Sequence, residues 1–282
     1  MRSRVLSHGR SKLVSRLVVT GALVAGSVVS LFPFYWMVVA STHSTPDLFT
    51  SPPPFLPDGR FLDNFAALQE EVGFARVVLN SLVIGVLYTA FGSVISALAG
   101  YGLAKHRFRG RGLLFGAILA TMFIPYQVTL VPLFQLMSAL HWVNSYQAVI
   151  LPFLASAFGV FLMRQGFLSF PDEIIESGRI DGAGELRIFY GLVVPAARPQ
   201  LAALIIYTFM TQWSAFIWPL LMLNREEQYT IPVALNTLIG QSKVDYAGLM
   251  LGSFIATLPM IVVFLIFQRQ FIAGLLGGAV KG

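Results

Sequence analysis

Six stretches of this chain are long apolar runs without any Asp, Glu, Lys or Arg, and each is about long enough to cross a bilayer. A helical span needs about 20 mostly apolar residues. The predicted spans are residues 17–40, 81–104, 113–136, 146–163, 201–223 and 246–267. The first run has 24 residues, which exceeds the apolar core of about 7–15 in a signal peptide. We therefore expect an uncleaved first span, and an all-α polytopic membrane protein with six transmembrane helices.

Several of the predicted spans contain proline. These residues are Pro125, Pro132, Pro152, Pro219 and Pro259. Proline removes a backbone hydrogen bond and tends to kink a helix, and membrane helices tolerate it. Kinked helices around a cavity suit a transporter, although proline is also commoner in membrane helices in general. Both interpretations remain open from the sequence alone.

Composition agrees with a membrane protein. Hydrophobic residues make up 56% of the chain, charged residues 11%, and the mean hydropathy is +0.74, whereas soluble domains carry about 25% charged residues. There is no cysteine, which excludes disulfides and thiolate metal sites. The sequence predicts no metal site and no catalytic residue, because no His, acid or thiol cluster with catalytic spacing lies in the spans. This argues against a membrane enzyme.

The basic residues behind the net charge of +6 are unevenly distributed between the two sides of the predicted spans. Fifteen of the 19 Lys and Arg residues fall in loops and tails on one side of the predicted spans, and four fall on the other. The positive-inside rule then places both termini in the cytoplasm. The chain divides into a basic cytoplasmic tail (residues 1–16), a six-span permease domain (17–268) and a cytoplasmic C-terminal tail (269–282). The basic excess is a topology signal, so nucleic acid is not an expected partner.

One cytoplasmic stretch, which we call the acidic segment (residues 171–195), contains five of the 13 acidic residues. Pro171 suits the first turn of a helix, and the carboxylates that follow it favour the positive end of the helix dipole. Gly182 is suited to end that helix in a left-handed conformation. A second short helix over about residues 184–193 is expected to place Leu186, Phe189 and Val193 on one side. The two helices could dock a cytoplasmic partner, and a charged solvated loop is the alternative.

The residues "ESGRIDGAGELRIFYGLVVP" resemble the EAA loop of binding-protein-dependent ABC importer permeases. The positions that match are Glu176, Gly182 and Pro195, with Leu192 and Val194 at the apolar positions. Ser177 and Gly178 stand where the family usually has Ala, and both are small. Asp181 and Ala183, on either side of Gly182, resemble the sugar-importer branch. The resemblance implies the type I ABC importer permease fold.

Further blocks are similar to the second permease subunit of the maltose-type carbohydrate family. They are "LFPFYWMVVASTHS", "NSL", "RFRGRG", "IPYQVTLVPLF" and "FQRQFIAGLLGGAVKG". "TQWSAFIWPLL" departs from the family pattern at Ser214, where Asn is usual. Within the family, the sequence most resembles permeases for arabino- and galacto-oligosaccharides and for lactose. The cargo implied is a di- or oligosaccharide.

The resemblance also implies partners and contact residues. The expected partners are a second homologous permease subunit, two ATPase subunits, an extracytoplasmic sugar-binding protein and the lipid bilayer. Residues expected at the ATPase contact are Glu176, Ser177, Gly178, Asp181, Gly182, Ala183 and Arg187. By family analogy, the tail at Lys281 and Gly282 also reaches the ATPases. The chain itself is expected to bind no cofactor, with ATP and Mg²⁺ on the partner ATPase. None of its four lysines lies in a phosphate-binding G-x-x-x-x-G-K-[ST] loop.

Sugars are uncharged and bind through aromatic stacking and neutral hydrogen bonds. Candidates for the substrate pathway are Asn80, Gln127, Gln135, Tyr207, Gln212, Trp213 and Trp218. For Trp213 and Trp218 the alternative is an aromatic anchor at the bilayer edge. Another cargo, such as glycerol phosphate, should favour basic residues in the spans, which have none. A stand-alone secondary carrier is the other alternative, and a proton-coupled one usually places an ionisable residue within the membrane.

Overall fold

The computed structural model describes residues 2–240 and 244–279, with side chains over residues 15–240 and 244–269. Lys243, and Lys281 of the predicted C-terminal tail, lie outside the described residues. Throughout the part that is described, the secondary structure is helical, without strands. The helices are α1 (Arg2–Ser41), α2 (Phe61–Val72), α3 (Phe74–Lys105), α4 (Arg111–Ala120), α5 (Tyr126–Ala139), α6 (Tyr146–Ile150), α7 (Ala157–Leu168), α8 (Asp172–Ile180), α9 (Glu185–Ile188), α10 (Val194–Ala196), α11 (Arg198–Trp213), α12 (Ile217–Met222), α13 (Ile231–Ile239) and α14 (Tyr246–Ala279).

The described residues contain three helices that are long and apolar enough to cross a membrane. They lie in α1, α3 and α14. Three bent helix pairs pass the same test together, which gives up to six spans if each pair is one span. The upper number equals the six spans predicted from the sequence, but the third bent pair, Glu185–Ala196 with Arg198–Trp213, begins before residue 201 and ends before residue 223, the limits of the predicted fifth span.

The third predicted span is not one continuous helix. Its two halves, Arg111–Phe123 and Tyr126–Ala139, meet at 100°. The break falls at Ile124 and Pro125, and Ile124 has an extended backbone (φ −80°, ψ 116°). A residue that precedes proline is pushed out of the helical region by the proline ring, and the proline supplies no N–H. The kink expected at Pro125 is therefore a full break, whereas Pro132 remains inside α5.

The fourth and fifth predicted spans are also interrupted. In the fourth, Tyr146–Phe153 and Ala157–Leu168 meet at 46°. The fifth, predicted over 201–223, ends as a helix at Trp213 and resumes at Ile217. Pro219 clashes with a helical carbonyl four residues earlier, at Ala215, which lies in this gap. The prediction of one helix over 201–223 is therefore wrong.

The chain forms two compact units, and the first contains the described residues of Met1–Leu68 and Gln241–Ile255. After α1, the proline-rich connection has no long helix before α2, as its composition predicts. Side-chain hydrogen bonds fix it instead. Asn64 donates from Nδ2 to the carbonyl oxygens of Ser41 (2.8 Å) and His43 (2.9 Å). Thr45 Oγ1 donates to Asp245 Oδ1 at 2.6 Å.

The second unit contains the described residues of Gln69–Gly240 and Ala256–Gly282. Its central helix is α3, which packs against α7 and α11. The contact with α7 is close because Gly100 has no side chain. A Cβ at that position would lie 2.8 Å from the backbone nitrogen of Arg164 and 2.8 Å from Met163 Cβ. Small residues commonly let helix backbones approach in this way in membranes.

Candidate functional site: an acidic helical hairpin and an aromatic cavity

The acidic segment folds as two helices joined by a tight turn, as the sequence predicts. Gly182 has φ +77° and donates its N–H to the carbonyl of Arg179 at 3.0 Å. The N–H of Ala183 donates to the carbonyl of Gly178, also at 3.0 Å. These two bonds form a Schellman motif, which satisfies the last carbonyls of α8. Gly182 therefore ends α8 and directs the chain into α9.

Ion pairs fix the two helices of the acidic segment. Lys105 Nζ lies 2.6 Å from Asp172 Oδ1, in the first turn of α8. Arg179 Nε lies 2.6 Å from Glu185 Oε1, so the pair joins α8 to α9 across the turn. The Lys105 ammonium lowers the pKa of the Asp172 carboxyl, chiefly by its hydrogen bond. The Arg179 hydrogen bond likewise lowers the pKa of Glu185.

One face of the acidic segment is part of the core of the second unit. Ile175, Ile188, Phe189 and Val193 are almost fully buried. They pack in one cluster with residues of α3, α7 and α11, including Tyr101. The rings of Tyr101 and Phe189 lie 5.1 Å apart. The acidic segment is thus joined to the spans by apolar packing and should move with them.

The sequence predicted Leu186 on the same side of the second helix as Phe189 and Val193, and the structure does not place it there. Leu186 is 66% exposed, while Ile188 is buried. Leu186 and Ile188 are two residues apart in α9, so they lie on nearly opposite sides of a helix with 3.6 residues per turn. Because Ile188 takes the buried side, Leu186 is exposed, and a π-helical turn over Phe189–Val193 follows.

The opposite face of the acidic segment is exposed and carries most of the residues predicted to contact the ATPase. The exposed members are Glu176, Ser177, Asp181, Gly182 and Arg187, whereas Ala183 is half-buried and Gly178 is buried against α9. Ile180 is 86% exposed on this face, beside Asp181. Exposed apolar side chains among charges are suited to docking a protein surface.

A second feature is an aromatic cavity of about 580 Å³ beside the break in the fifth span. None of the described residues that line it is charged; they are Tyr88, Tyr126, Phe153, Thr211, Gln212, Ser214, Ala215, Phe216, Ile217, Trp218 and Pro219. Trp218 donates from Nε1 to the carbonyl of Ala148 at 2.9 Å. Its ring meets that of Phe153 edge-on, at 5.5 Å between centroids.

Two of the seven predicted pathway residues, Gln212 and Trp218, line this cavity. Gln127 and Gln135 are exposed on α5. Tyr207 packs against Phe158, with ring centroids 4.4 Å apart. The structure places all three outside the described lining of the cavity.

Asn80 and Trp213 are buried elsewhere. The side-chain amide of Asn80 makes hydrogen bonds within the chain, one of them to the carbonyl of Glu227. Trp213 donates from Nε1 to the carbonyl of Ala256 at 2.9 Å. Trp213 is 5% exposed and Trp218 is 3% exposed. Both side chains are therefore packed within the chain, and their interpretation as anchors at the bilayer edge stays a prediction.

Sequence reasoning missed most of the cavity wall. Tyr88, Tyr126 and Phe153 come from α3, α5 and the turn before α7, and they are distant in sequence. Each is an apolar aromatic residue in a span, which is an ordinary feature of membrane helices. Ser214 was noted only as a departure from a family pattern. Residues beside the breaks in the third, fourth and fifth predicted spans line the cavity, and no sequence motif marks their meeting.

Bent apolar helix pairs, a central packed helix and a helical hairpin built into the core define a helical membrane permease. The chain belongs to the family of binding-protein-dependent transport system inner membrane components, whose model matches residues 92–276. It is 35% identical to the arabinooligosaccharides transport system permease protein AraQ of Bacillus subtilis, over 99% of this chain and 100% of that protein. It is 34% identical to the lactose transport system permease protein LacG of Rhizobium radiobacter, over 93% of this chain and 95% of that protein.

The fold also matches a solved structure. A bacterial ABC transporter involved in the import of the acidic polysaccharide alginate contains a chain that superposes with a TM-score of 0.78 at 25% identity. The superposition covers 93% of this chain and 98% of that chain. The type I importer fold predicted from the sequence is thereby confirmed.

Proposed function

We propose that this chain is a transmembrane permease subunit of an ATP-driven ABC importer and forms half of the translocation pathway for a di- or oligosaccharide. The observation that carries the proposal is the two-sided acidic segment. One face is packed among α3, α7 and α11, and the other presents exposed Glu176, Ser177 and Asp181. A partner that binds the exposed face can therefore move the spans.

The proposed partners follow from this arrangement and from the family. A second permease subunit completes the pathway, two ATPase subunits bind the acidic segments, and an extracytoplasmic binding protein delivers the sugar. ATP and Mg²⁺ bind to the ATPase subunits, since this sequence has no phosphate-binding loop. Nucleotide drives transport only if it favours one of two permease states over the other.

The proposed topology places both termini and the acidic segment in the cytoplasm. The basic tail is residues 1–16, the permease domain is 17–268 and the second tail is 269–282. The support is the excess of Lys and Arg on this side of the spans. The proposed ATPase contact comprises Glu176, Ser177, Gly178, Asp181, Gly182, Ala183 and Arg187. Of these, Gly178 acts by close packing against Ile188, since a Cβ there would lie 3.3 Å from Ile188 Cγ1.

A neutral sugar is the cargo that suits the cavity best. Its described lining is aromatic and uncharged, and within the described residues the Gln212 amide has no hydrogen-bond partner. The sn-glycerol-3-phosphate permease protein UgpE of Escherichia coli K12 is 31% identical over 90% of this chain. A phosphate cargo would favour cationic groups, which the described lining of this cavity lacks. The AraQ and LacG relatives point to the same sugar class.

The decisive experiment is to purify the complex through a tag on this chain. Glu176→Lys reverses a charge at the proposed ATPase contact. Glu70→Lys makes the same reversal at an exposed position of α2 and serves as the control. We expect an ATPase to co-purify with the wild type and the control, and to be lost or uncoupled with Glu176→Lys. If the chain arrives alone and moves sugar into liposomes without ATP, it is a secondary carrier and the proposal is wrong.

A further inference from the structure

The segment over residues 224–231, which runs from two residues after α12 to the first residue of α13, is held by a buried amide of α3. Asn80 donates from Nδ2 to the carbonyls of Glu227 (2.9 Å) and Tyr229 (3.1 Å). Its Oδ1 accepts a hydrogen bond from the Tyr146 hydroxyl at 2.6 Å. Asn80 is only 4% exposed, so its amide is committed to this segment and unavailable to a substrate.

Two further hydrogen bonds fix the ends of segment 224–231. The backbone N–H of Ile231 donates to Ser81 Oγ at 2.8 Å. At the other end, the N–H of Asn224 donates to Asn144 Oδ1 at 2.5 Å. The residues between them line an open pocket of about 560 Å³ with Arg76. In the proposed topology this pocket faces the extracytoplasmic side, where the binding protein docks.

The other end of α3 holds the acidic segment. Lys105 is the last residue of α3, and its side chain is 5% exposed. Its Nζ donates to the carbonyl of Phe170 at 2.5 Å and to Asp172 Oδ1 at 2.6 Å. One turn earlier, the Tyr101 hydroxyl donates to Glu185 Oε2 at 3.3 Å. The final turns of α3 therefore contact both helices of the acidic segment.

Between these ends α3 is an uninterrupted helix. It has 32 residues without proline, and Asn80 and Lys105 are about 38 Å apart along it, at 1.5 Å per residue. Among the described spans this is exceptional, because α1 and α14 contain proline and the other three are bent pairs. A helix with all its backbone bonds intact resists bending and compression, so its two ends move together.

We propose that α3 transmits movement between segment 224–231 and the acidic segment, with Asn80 and Lys105 as the positioning residues at its two ends. The inference rests on the proposed function. Displacing segment 224–231 without α3 would break buried hydrogen bonds of Asn80 and leave their groups unpaired, which is unfavourable. Docking of a binding protein at segment 224–231 therefore shifts α3, and Lys105 carries the shift to the first turn of α8.

A double-mutant cycle in the assembled complex tests this. The quantity measured is the ratio of ATPase rates with and without the sugar-loaded binding protein. The variants are Asn80→Ala, Lys105→Met and both together, with Lys105→Arg as the conservative replacement. Ser169→Ala is the matched control, because it loses a hydrogen bond only to its own helix, at Gly166. Residues so far apart normally have additive effects.

We expect each single variant to lower the stimulation ratio about fivefold or more, while the basal ATPase rate persists. The double variant should be no worse than the single variants, and Lys105→Arg should restore stimulation. Additive effects, or an unchanged ratio in Asn80→Ala, would overturn the proposal. If the wild-type complex contains no ATPase at all, the proposed function fails instead, and the two failures are thereby distinguished.

A distance measurement keeps the proposal testable if Asn80→Ala does not assemble. This chain has no cysteine, so Glu226→Cys and Glu173→Cys are its only labelled positions, and the partner subunits are used in cysteine-free form. Both positions are exposed. We expect the same distance in the nucleotide-free and vanadate-trapped complexes. A change of several ångströms would show that the two ends of α3 do not move as one, and the proposal would be wrong.

Discussion

Arg179 and Glu185 form an ion pair across the turn between α8 and α9, with 2.6 Å between Nε and Oε1. Glu185 also accepts a hydrogen bond from Tyr101 and lies 3.7 Å from His106 Nε2. The carboxylate of α9 thus has one partner on α8 and two at the end of α3. Arg179, by contrast, has Glu185 as its charged partner. The two residues are equally exposed but differ in what they join.

Replacing Glu185 should therefore weaken the coupling between sugar delivery and ATP hydrolysis more than replacing Arg179 does. An exposed ion pair contributes only about 0.2–1 kcal/mol to stability, so both Glu185→Ala and Arg179→Ala should assemble. We expect Glu185→Ala to lower sugar-stimulated ATPase activity further than Arg179→Ala, because it also releases Tyr101. Rates measured on purified complexes check this. Equal losses in the two variants would show that the ion pair alone matters.

The acidic segment should be less stable at acidic pH. The pKa values of Asp172 and Glu185 are lowered by Lys105 and Arg179. Lowered carboxyl pKa values mean that the ionised forms stabilise the folded state above the unfolded pKa of about 4. This contribution is lost as the pH falls through the folded values. Both carboxyls are well exposed, so the effect is small.

The measurement compares melting temperatures of the wild-type complex and of the double variant Asp172→Asn/Glu185→Gln, from pH 7 down to about pH 3, below the unfolded pKa of about 4. At pH 7 the wild type should melt at the higher temperature. The difference should shrink as the pH falls, because the wild-type carboxyls become protonated. A difference that stays constant over this range would contradict the assignment of these two groups.

Gly178 in α8 and Gly182, two residues after its end, should respond differently to alanine. Gly182 has φ +77°, where a side chain costs about 1–2 kcal/mol, so Gly182→Ala should weaken ATPase retention and Gly182→Asn should do so less. Gly178→Ala places a Cβ 3.3 Å from Ile188 Cγ1, which needs only a small shift. We expect Gly178→Ala to retain the ATPase in the tag purification and Gly178→Leu to lose it.

The sequence predicted the fold well where a single local signal decides the structure. Apolar runs located the spans, and Gly182 marked the end of α8 because a left-handed cap favours glycine. The sequence predicted less of the fold where the structure depends on two elements that are distant in the chain. Pro125 indicated a kink, but not that the two halves of the span would meet at 100°.

The candidate site shows the same limit. The pairing of Arg179 with Glu185 could not be read from their spacing, because it depends on the turn made by Gly182. Asn80 was predicted to face the substrate because it is an uncharged polar residue directly before the predicted second span. Its actual partners, in segment 224–231, are about 150 residues away in the sequence. Only the folded chain brings them together.

Gln212 should contribute to substrate affinity, because its amide lines the aromatic cavity. Loss of a neutral hydrogen bond costs about 0.5–1.5 kcal/mol, so Gln212→Leu should raise the KM for sugar-stimulated ATPase by about 2- to 13-fold, with little change in kcat. Gln135→Leu is the matched control, since Gln135 is exposed on α5 and lies outside the described lining of the cavity. Equal KM values in Gln212→Leu and the wild type would show that this cavity is not where this subunit contacts the sugar.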